Sequence, residues 1–348
     1  MEAEPVLLKS TSCTKYLGIL LDANGKCDAD IEARIAKGIS AGKKIQQILE
    51  DTIFGPYETE VFLVFRNAIF ISTVLNNIES MYNLTIKNVE ALERCDEMYL
   101  RQHFELHSKA PKELVYLETA TVPIRFLIMK KRILYLNYLL NEDVNSLVYK
   151  FLKAQLTKNL PGDWVNLVDK DIKELDISLS YEDIKNTNKK ELSEFLNEKI
   201  ENKALEYLLT MKEKHSKMNP LNYTRIQTQE YLTSSAGFNK SLRNFAIQAR
   251  GSMLDLKANF KSAYAVNDIN CRHCENSVED QQHLLECPAL NTGTPNTVDQ
   301  PQYEDLFSND AAKIKKICEK LKGNMMRFNQ ILNRPRDRRV KTTRSVPQ

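Results

Sequence analysis

Residues 124–140 read IRFLIMKKRILYLNYLL, and this run decides the fold. Its apolar residues fall on nearly every side of a helical wheel, which predicts a helix surrounded by other elements rather than one lying on a surface. Beyond Arg125 in its first turn, the cluster Lys130, Lys131 and Arg132 is the charged exception. Pro123 suits the first turn, where its missing N–H costs nothing.

Working outward, the neighbouring segments also carry a helical period. Ile31, Ile35, Ile39, Ile45, Ile48 and Leu49 mark one amphipathic helix, with Gly38 and Gly42 as weak points in its middle. Residues 57–79 predict a single, mostly apolar helix, and Val89, Leu92, Cys95, Tyr99, Leu100 and Phe104 another. Downstream, Ser180 with Asp183 has the form of a capping box. Leu192, Phe195, Leu196, Ile200, Ala204 and Leu208 give a long helix with a charged outer face. Residues 216–237 read as a loop, 240–260 as a helix weakened at Gly251, and 309–332 as a last helix. At the other end, PVLLKS and TKYLGILLD read as short buried strands before an Asn24-Gly25 turn.

The totals agree with this pattern. In 348 residues there are only 10 glycines and 11 prolines, few for a turn-rich β architecture, and 42% of residues are apolar, enough for a packed core. The fold class is therefore mainly α: a multi-helix body with a short N-terminal β segment and a small C-terminal metal module. VFLVFRNAIFISTVL is too short to span a bilayer and is broken by Arg66 and Asn67. No signal peptide is visible, and seven mostly scattered cysteines fit a reducing compartment. A soluble intracellular protein of nucleus or cytoplasm is expected, with no membrane partner. A formal charge of +3 does not by itself point to nucleic acid.

The strongest chemical signal is CRHCENSVEDQQHLLEC, starting at Cys271. Cys271 and Cys274 suit a tight turn that aims two thiolates at one ion, and His283 and Cys287 project from one helical face. Three thiolates and an imidazole with no open position describe a structural Zn2+ site. His273 competes as a ligand, but its place between two cysteines makes it a poor fourth partner. The local core of Val278, Leu284, Leu285 and Leu290 is too small to fold alone, so metal is expected to order the module. Glu279 and Glu286 are the available general bases, but a four-ligand set argues against catalysis.

Basic residues supply the second signal. Lys240, Arg243, Arg250, Lys257 and Lys261 would form one stripe on a continuous helix, able to track phosphates. The tail holds Arg334, Arg336, Arg338, Arg339, Lys341 and Arg344 against one acid, Asp337, and is expected to be disordered. Tyr16, Tyr99 and Tyr116 are possible stacking residues, although aromatics at helical spacing usually belong to a core. The sequence has no phosphate-binding glycine loop and no Asp-Asp pair, and no enzyme site is evident.

Several pieces then line up in order: KYLGILLD at 15–22, IEARI at 31–35, VYLETATVPIRFLIMKKRILYLNYLL at 115–140, GDWVNLVDKDIKELDI at 162–177, HSK at 215–217 and CRHC…HLLEC at 271–287. Together they resemble the C-terminal part of the reverse transcriptase of non-LTR (LINE-type) retrotransposons, over most of residues 10–290. The resemblance implies a palm-end β remnant at 1–27, a thumb-like helical domain at 28–150 and a helical linker region at 151–262. A CCHC zinc knuckle at 263–292, a flexible linker at 293–308 and a C-terminal helix with basic tail at 309–348 complete the expected layout. It implies that Tyr16, Leu17 and Gly18 lie near a primer terminus and that the knuckle engages RNA or DNA. The family's metal-binding carboxylates lie upstream of the KYLG-like segment, so the expectation is a nucleic-acid-binding, truncated fragment without polymerase activity of its own. Two alternatives are a zinc-stapled helical protein-interaction scaffold and a partial polymerase whose palm is supplied by a separate chain. No oligomeric state is implied.

Overall fold

The computed structural model describes residues 12–16, 19–108, 110–158, 160–260, 269–290 and 301–331. They are mainly helical, with one two-stranded antiparallel sheet near the N-terminus. The chain divides into two compact units, residues 1–240 and 241–348. No helix among the described residues is long and apolar enough to cross a membrane.

In the first unit, β1 (Cys13–Tyr16) pairs with β2 (Ile19–Asp22), from Cys13 opposite Asp22 to Tyr16 opposite Ile19. The predicted single run TKYLGILLD is thus folded back on itself, with Leu17 and Gly18 outside the described residues, as are residues 5–10. The expected burial is not realised: Leu21 is 52% exposed, and Ile19 and Leu20 are only half-buried. An isolated hairpin has too little neighbouring structure to cover both faces. It is tied to the body where the Leu20 N–H donates to Asp30 Oδ1 at 2.8 Å.

Helix α1 (Asp28–Asp51) runs unbroken through both glycines. Their missing side chains let other elements approach: a Cβ on Gly38 would lie 2.6 Å from Val74 Cγ2, and one on Gly42 2.9 Å from the Tyr99 ring. Residues 57–79 are not one helix. After α2 (Glu58–Phe65) comes a π-helical turn, Arg66–Ile71, and then the short α3 (Ser72–Val74). The wider turn carries Arg66, which is buried and grips Asp96 of α4 (Ile86–His103) with Nε to Oδ1 at 2.8 Å and Nη2 to Oδ2 at 2.5 Å. Helix α4 starts on a Thr85–Asn88 capping box. Tyr99 and Tyr116 are buried core residues and not stacking platforms.

After α5 (Lys112–Thr119), α6 (Ile124–Leu140) is the buried central helix its sequence predicts, with Pro123 just outside as N-cap. Around it pack α7 (Leu147–Lys158), α8 (Trp164–Glu174), α9 (Tyr181–Asn186) and α10 (Lys189–Lys212). Phe126, Ile133 and Leu136 share one core with Trp164, Val168, Leu192, Leu196 and Ile200, so this core crosses residue 150, where a domain boundary was expected. Arg132 of α6 is buried against Asp171 of α8 with Nη1 to Oδ2 at 2.9 Å. The Ser180–Asp183 capping box forms as predicted. The 216–237 loop is anchored: Tyr231 and Tyr223 both donate their hydroxyls to the buried Glu118.

Helix α11 (Lys240–Arg250) leads into the second unit and stops at Arg250, ten residues short of the expected Phe260. Gly251 follows, and Ser252 takes a left-handed φ of 53°, which turns the chain out of the helix. The unit is completed by α12 (Gln281–Glu286), a 3-10 turn at Tyr303–Phe307 and α13 (Ala311–Ile331). Part of the expected 293–308 linker is therefore structured, with Leu306 fully buried.

Candidate metal centre

The sequence builds two arms. The first is a turn after Asn270, whose backbone bridges antiparallel to Val278. Within it the Cys271 N–H donates to Ser277 O at 2.7 Å, the Glu275 N–H donates to Cys271 O at 3.0 Å, and Glu275 adopts a left-handed φ of 58°. This curl brings Cys271 and Cys274 to one side. The second arm is α12, started by Asp280, whose side chain accepts from the His283 N–H at 2.8 Å. One turn later Cys287 follows, its N–H bonded to His283 O at 2.7 Å.

The ligand atoms of Cys271, Cys274, His283 and Cys287 all lie within 4.8 Å of one another. Cys271 Sγ is 4.0 Å from Cys287 Sγ, and Cys274 Sγ is 3.2 Å from His283 Nε2. A tetrahedral zinc with bonds of about 2.0–2.3 Å needs ligand separations of about 3.3–3.8 Å; the donor set has the chemistry for a metal ion, and its separations, from 3.2 Å to within 4.8 Å, would close by about 1 Å or less at the widest pair. Cys271 and Cys287 are buried. Burial pushes the Cys287 thiol up to about 11, whereas the Asn276 backbone N–H holds Cys274 below its ordinary value. Metal binding would displace the Cys287 proton.

The surroundings decide two open questions. His273 turns away from the cluster: its ring stands edge-on to Phe328 of α13, with centroids 4.4 Å apart, and its Nε2 lies 3.2 Å from Phe328 O. Glu279 is buried and engaged. It accepts from the Arg272 N–H at 3.1 Å, from Arg272 Nε at 2.6 Å and from the Lys257 N–H at 2.9 Å. It ties the turn to the preceding loop. The arms also have more support than their own few apolar residues. Asn324 of α13 donates to Leu284 O at 2.9 Å, Gln281 donates to Ala249 O at 2.9 Å, and Leu284, Leu285 and Leu290 are buried. The module, expected to depend on metal because its own core is small, is also held by α11 and α13.

The predicted basic stripe does not form. Arg243 and Arg250 are each 1% exposed, and Arg250 Nη1 donates to Leu306 O at 2.6 Å and Ser308 O at 3.0 Å. Both arginines fall on the inner face of a short helix, and the break after Arg250 puts Lys257 on another element. Lys257 Nζ reaches Asn270 O at 2.8 Å, and Lys240 pairs with Glu58 at 2.7 Å. Lys261 and the arginines at 334, 336, 338 and 339 lie outside the described residues, as do Leu17 and Gly18, while Tyr16 ends β1. The last helix, α13, falls where 309–332 reads as helical, but its charge is not part of the expected basic surface. This helix bears Lys313, Lys315, Lys316, Lys320, Lys322 and Arg327 against a single acid, Glu319, while Ile314, Ile317, Cys318, Leu321 and Phe328 face inward. Counting charges inside that amphipathic pattern would have found it.

Compared with protein families, curated proteins and solved structures, the chain gives no match.

Proposed function

We propose that the C-terminal unit is a zinc-stapled nucleic-acid-binding module and that the protein binds RNA or DNA without catalysing a reaction on it. The observation that carries this reading is the juxtaposition of two features: a four-donor Cys3His cluster, and a helix with six cations and one acid packed beside it. Cys271, Cys274, His283 and Cys287 would hold zinc as a closed structural site, fixing the turn and α12 against α13. The outer cations of α13 would then meet phosphates, giving affinity that falls steeply with salt. The sequence resemblance to the end of a LINE-type reverse transcriptase favours the same partner class.

The test is fluorescence anisotropy with single-stranded RNA, single-stranded DNA and duplex DNA across a salt series, with bound zinc assayed in parallel. Cys271→Ser with His283→Ala should lose the metal and weaken binding. Lys316→Glu with Lys320→Glu should keep the metal, weaken binding and reduce the salt slope by about two. Stoichiometric zinc with weak binding that ignores both variants would leave the cluster as a fold staple only.

A second reading, pairing with a separate palm-bearing chain, is favoured by the exposed Leu21 on β2. It predicts that Leu21→Lys leaves nucleic-acid binding unchanged and removes any association with such a chain.

A further inference from the structure

The three sulfurs of the metal cluster differ in their access to water. Cys271 and Cys287 are buried, whereas Cys274 is half-buried and is followed by Glu275, Asn276, Ser277 and Val278, all exposed. Elsewhere Cys27, Cys95 and Cys318 are buried, and Cys13 is exposed on β1 in the other unit. Cys274 is thus the thiol through which a small solute in water reaches the cluster.

That sulfur also has partners. The donor atoms of the cluster lie within 4.8 Å of one another, so Cys271 Sγ and Cys287 Sγ are both close to it. A disulfide bond of about 2.05 Å is reached from there by a closing of less than about 3 Å. Cys13 has no such neighbour, since β1 and β2 hold no other cysteine. Contacts that use no sulfur hold both arms of the site. Asn270 bridges Val278, Gln281 donates to Ala249 O at 2.9 Å, and Asn324 donates to Leu284 O at 2.9 Å. These keep the arms near each other when a ligand is lost, so the cluster can form again.

We propose that Cys274 is a site of reversible oxidation by hydrogen peroxide, and that its oxidation ejects the metal and with it the metal-dependent part of nucleic-acid binding. This rests on the zinc reading of the cluster. A half-exposed thiolate beside two further thiolates is the arrangement of a redox-sensitive cysteine with its resolving partner.

The step balances as follows. The Cys274 thiolate attacks one peroxide oxygen, the O–O bond breaks, and the sulfur becomes a sulfenic acid. The hydroxide released takes a proton and leaves as water. The thiolate of Cys271 or Cys287 then attacks the Cys274 sulfur, the S–O bond breaks, and a second hydroxide leaves as water after taking a proton. In sum, two thiolates, two protons and one hydrogen peroxide give one disulfide and two waters. Each sulfur gives up one electron, and the peroxide oxygens take both. His283 and one cysteine remain as donors, too few for a closed zinc site, and Zn2+ departs. A dithiol reductant returns both thiols and lets zinc bind again.

The experiment uses the full chain carrying Cys13→Ser, which prevents cross-linking between chains. Bound zinc is measured first, and one ion per chain is expected. Hydrogen peroxide is then added with a zinc-sensing dye. The expected result is release of that ion, a chain lighter by two hydrogen atoms, and a disulfide-linked peptide joining Cys274 to Cys271 or Cys287. Nucleic-acid affinity should fall to that of Cys271→Ser with His283→Ala, and dithiothreitol with zinc should restore it. Cys274→His leaves two cysteines and two histidines as donors and should keep its zinc in peroxide that empties the parent. At early times dimedone, which traps sulfenic acid, should label Cys274 ahead of Cys271 and Cys287. If Cys274→His binds no zinc, that order of labelling decides alone. Zinc retained through peroxide, first labelling at Cys271 or Cys287, equally fast loss from Cys274→His, or Cys274 ending as sulfinic acid without a disulfide would each overturn the proposal. A chain that holds no zinc before peroxide would sink the metal reading and this proposal together. Zinc release through the disulfide in a chain that binds no nucleic acid would uphold the oxidation site and refute only the nucleic-acid reading.

Discussion

Gly38 offers the sharpest check on the packing of the first unit. Replacing a mid-helix glycine with alanine normally stabilises a helix by about 0.8–1.0 kcal/mol, because the unfolded chain loses freedom. At Gly38 the added methyl would sit 2.6 Å from Val74 Cγ2 and 3.3 Å from the Phe70 ring, against an ordinary carbon contact of about 3.5–4.0 Å. Val74 and Phe70 are both buried, so neither can swing aside, and overpacking of this kind costs about 1–3 kcal/mol. Gly38→Ala should therefore destabilise by about 1–2 kcal/mol net. Gly323 in α13 is the control, because a methyl there meets nothing within 4 Å. Gly323→Ala should stabilise by about 0.8–1.0 kcal/mol. Urea denaturation would follow Trp164 fluorescence for the first variant and far-ultraviolet circular dichroism for the second. Adding Val74→Ala to Gly38→Ala should recover about 1 kcal/mol relative to additivity. If Gly38→Ala were as stabilising as Gly323→Ala, α1 would not be held at the distance described, and the account of its glycines would be wrong.

Three further outcomes are expected. Chelating the proposed zinc, or Cys274→Ser, should raise hydrogen exchange at the Leu284 and Leu285 amides while leaving α6 amides protected; equal protection with and without added zinc would mean the unit folds without it. Asp171 is held up to about 6 by burial, with Arg132 only partly opposing, so the folded state keeps its proton more tightly than the unfolded chain does. This contribution to stability is complete below about pH 4 and lost as pH rises through 6, up to about 3 kcal/mol, and Asp171→Asn should flatten that part of the stability profile. Asp96→Ala should cost about 3–5 kcal/mol by leaving Arg66 charged and buried without its carboxylate, and a double Arg66→Met, Asp96→Leu variant should recover much of that loss.

Apolar periodicity made the helical body legible, because a buried helix must be apolar on the faces it buries whatever its neighbours are. Residues 124–140 and 192–208 needed nothing else. The ligand set was equally local: Cys271 with Cys274, and His283 with Cys287, are each brought together by one turn or one helical repeat. The choice of His283 followed from that spacing, and the contact of His273 with Phe328 gives its physical counterpart.

Tertiary structure decided what a side chain of known type is doing. Arg243 and Arg250 have the spacing of a phosphate-tracking stripe, yet both are buried; a one-dimensional pattern shows which residues share a face, not whether water or protein lies against it. The same holds for Gly38 and Gly42, which look like helix weaknesses and are close-approach points. It holds for Arg66, which looks like an interruption and is the buried partner of Asp96. The sequence by itself determined that this chain is helical and carries the Cys3His donor pattern, since both are set by contacts within a few residues. Which cations remain outside and where the core crosses the chain depend on contacts between residues distant in sequence, and only the folded chain supplies those.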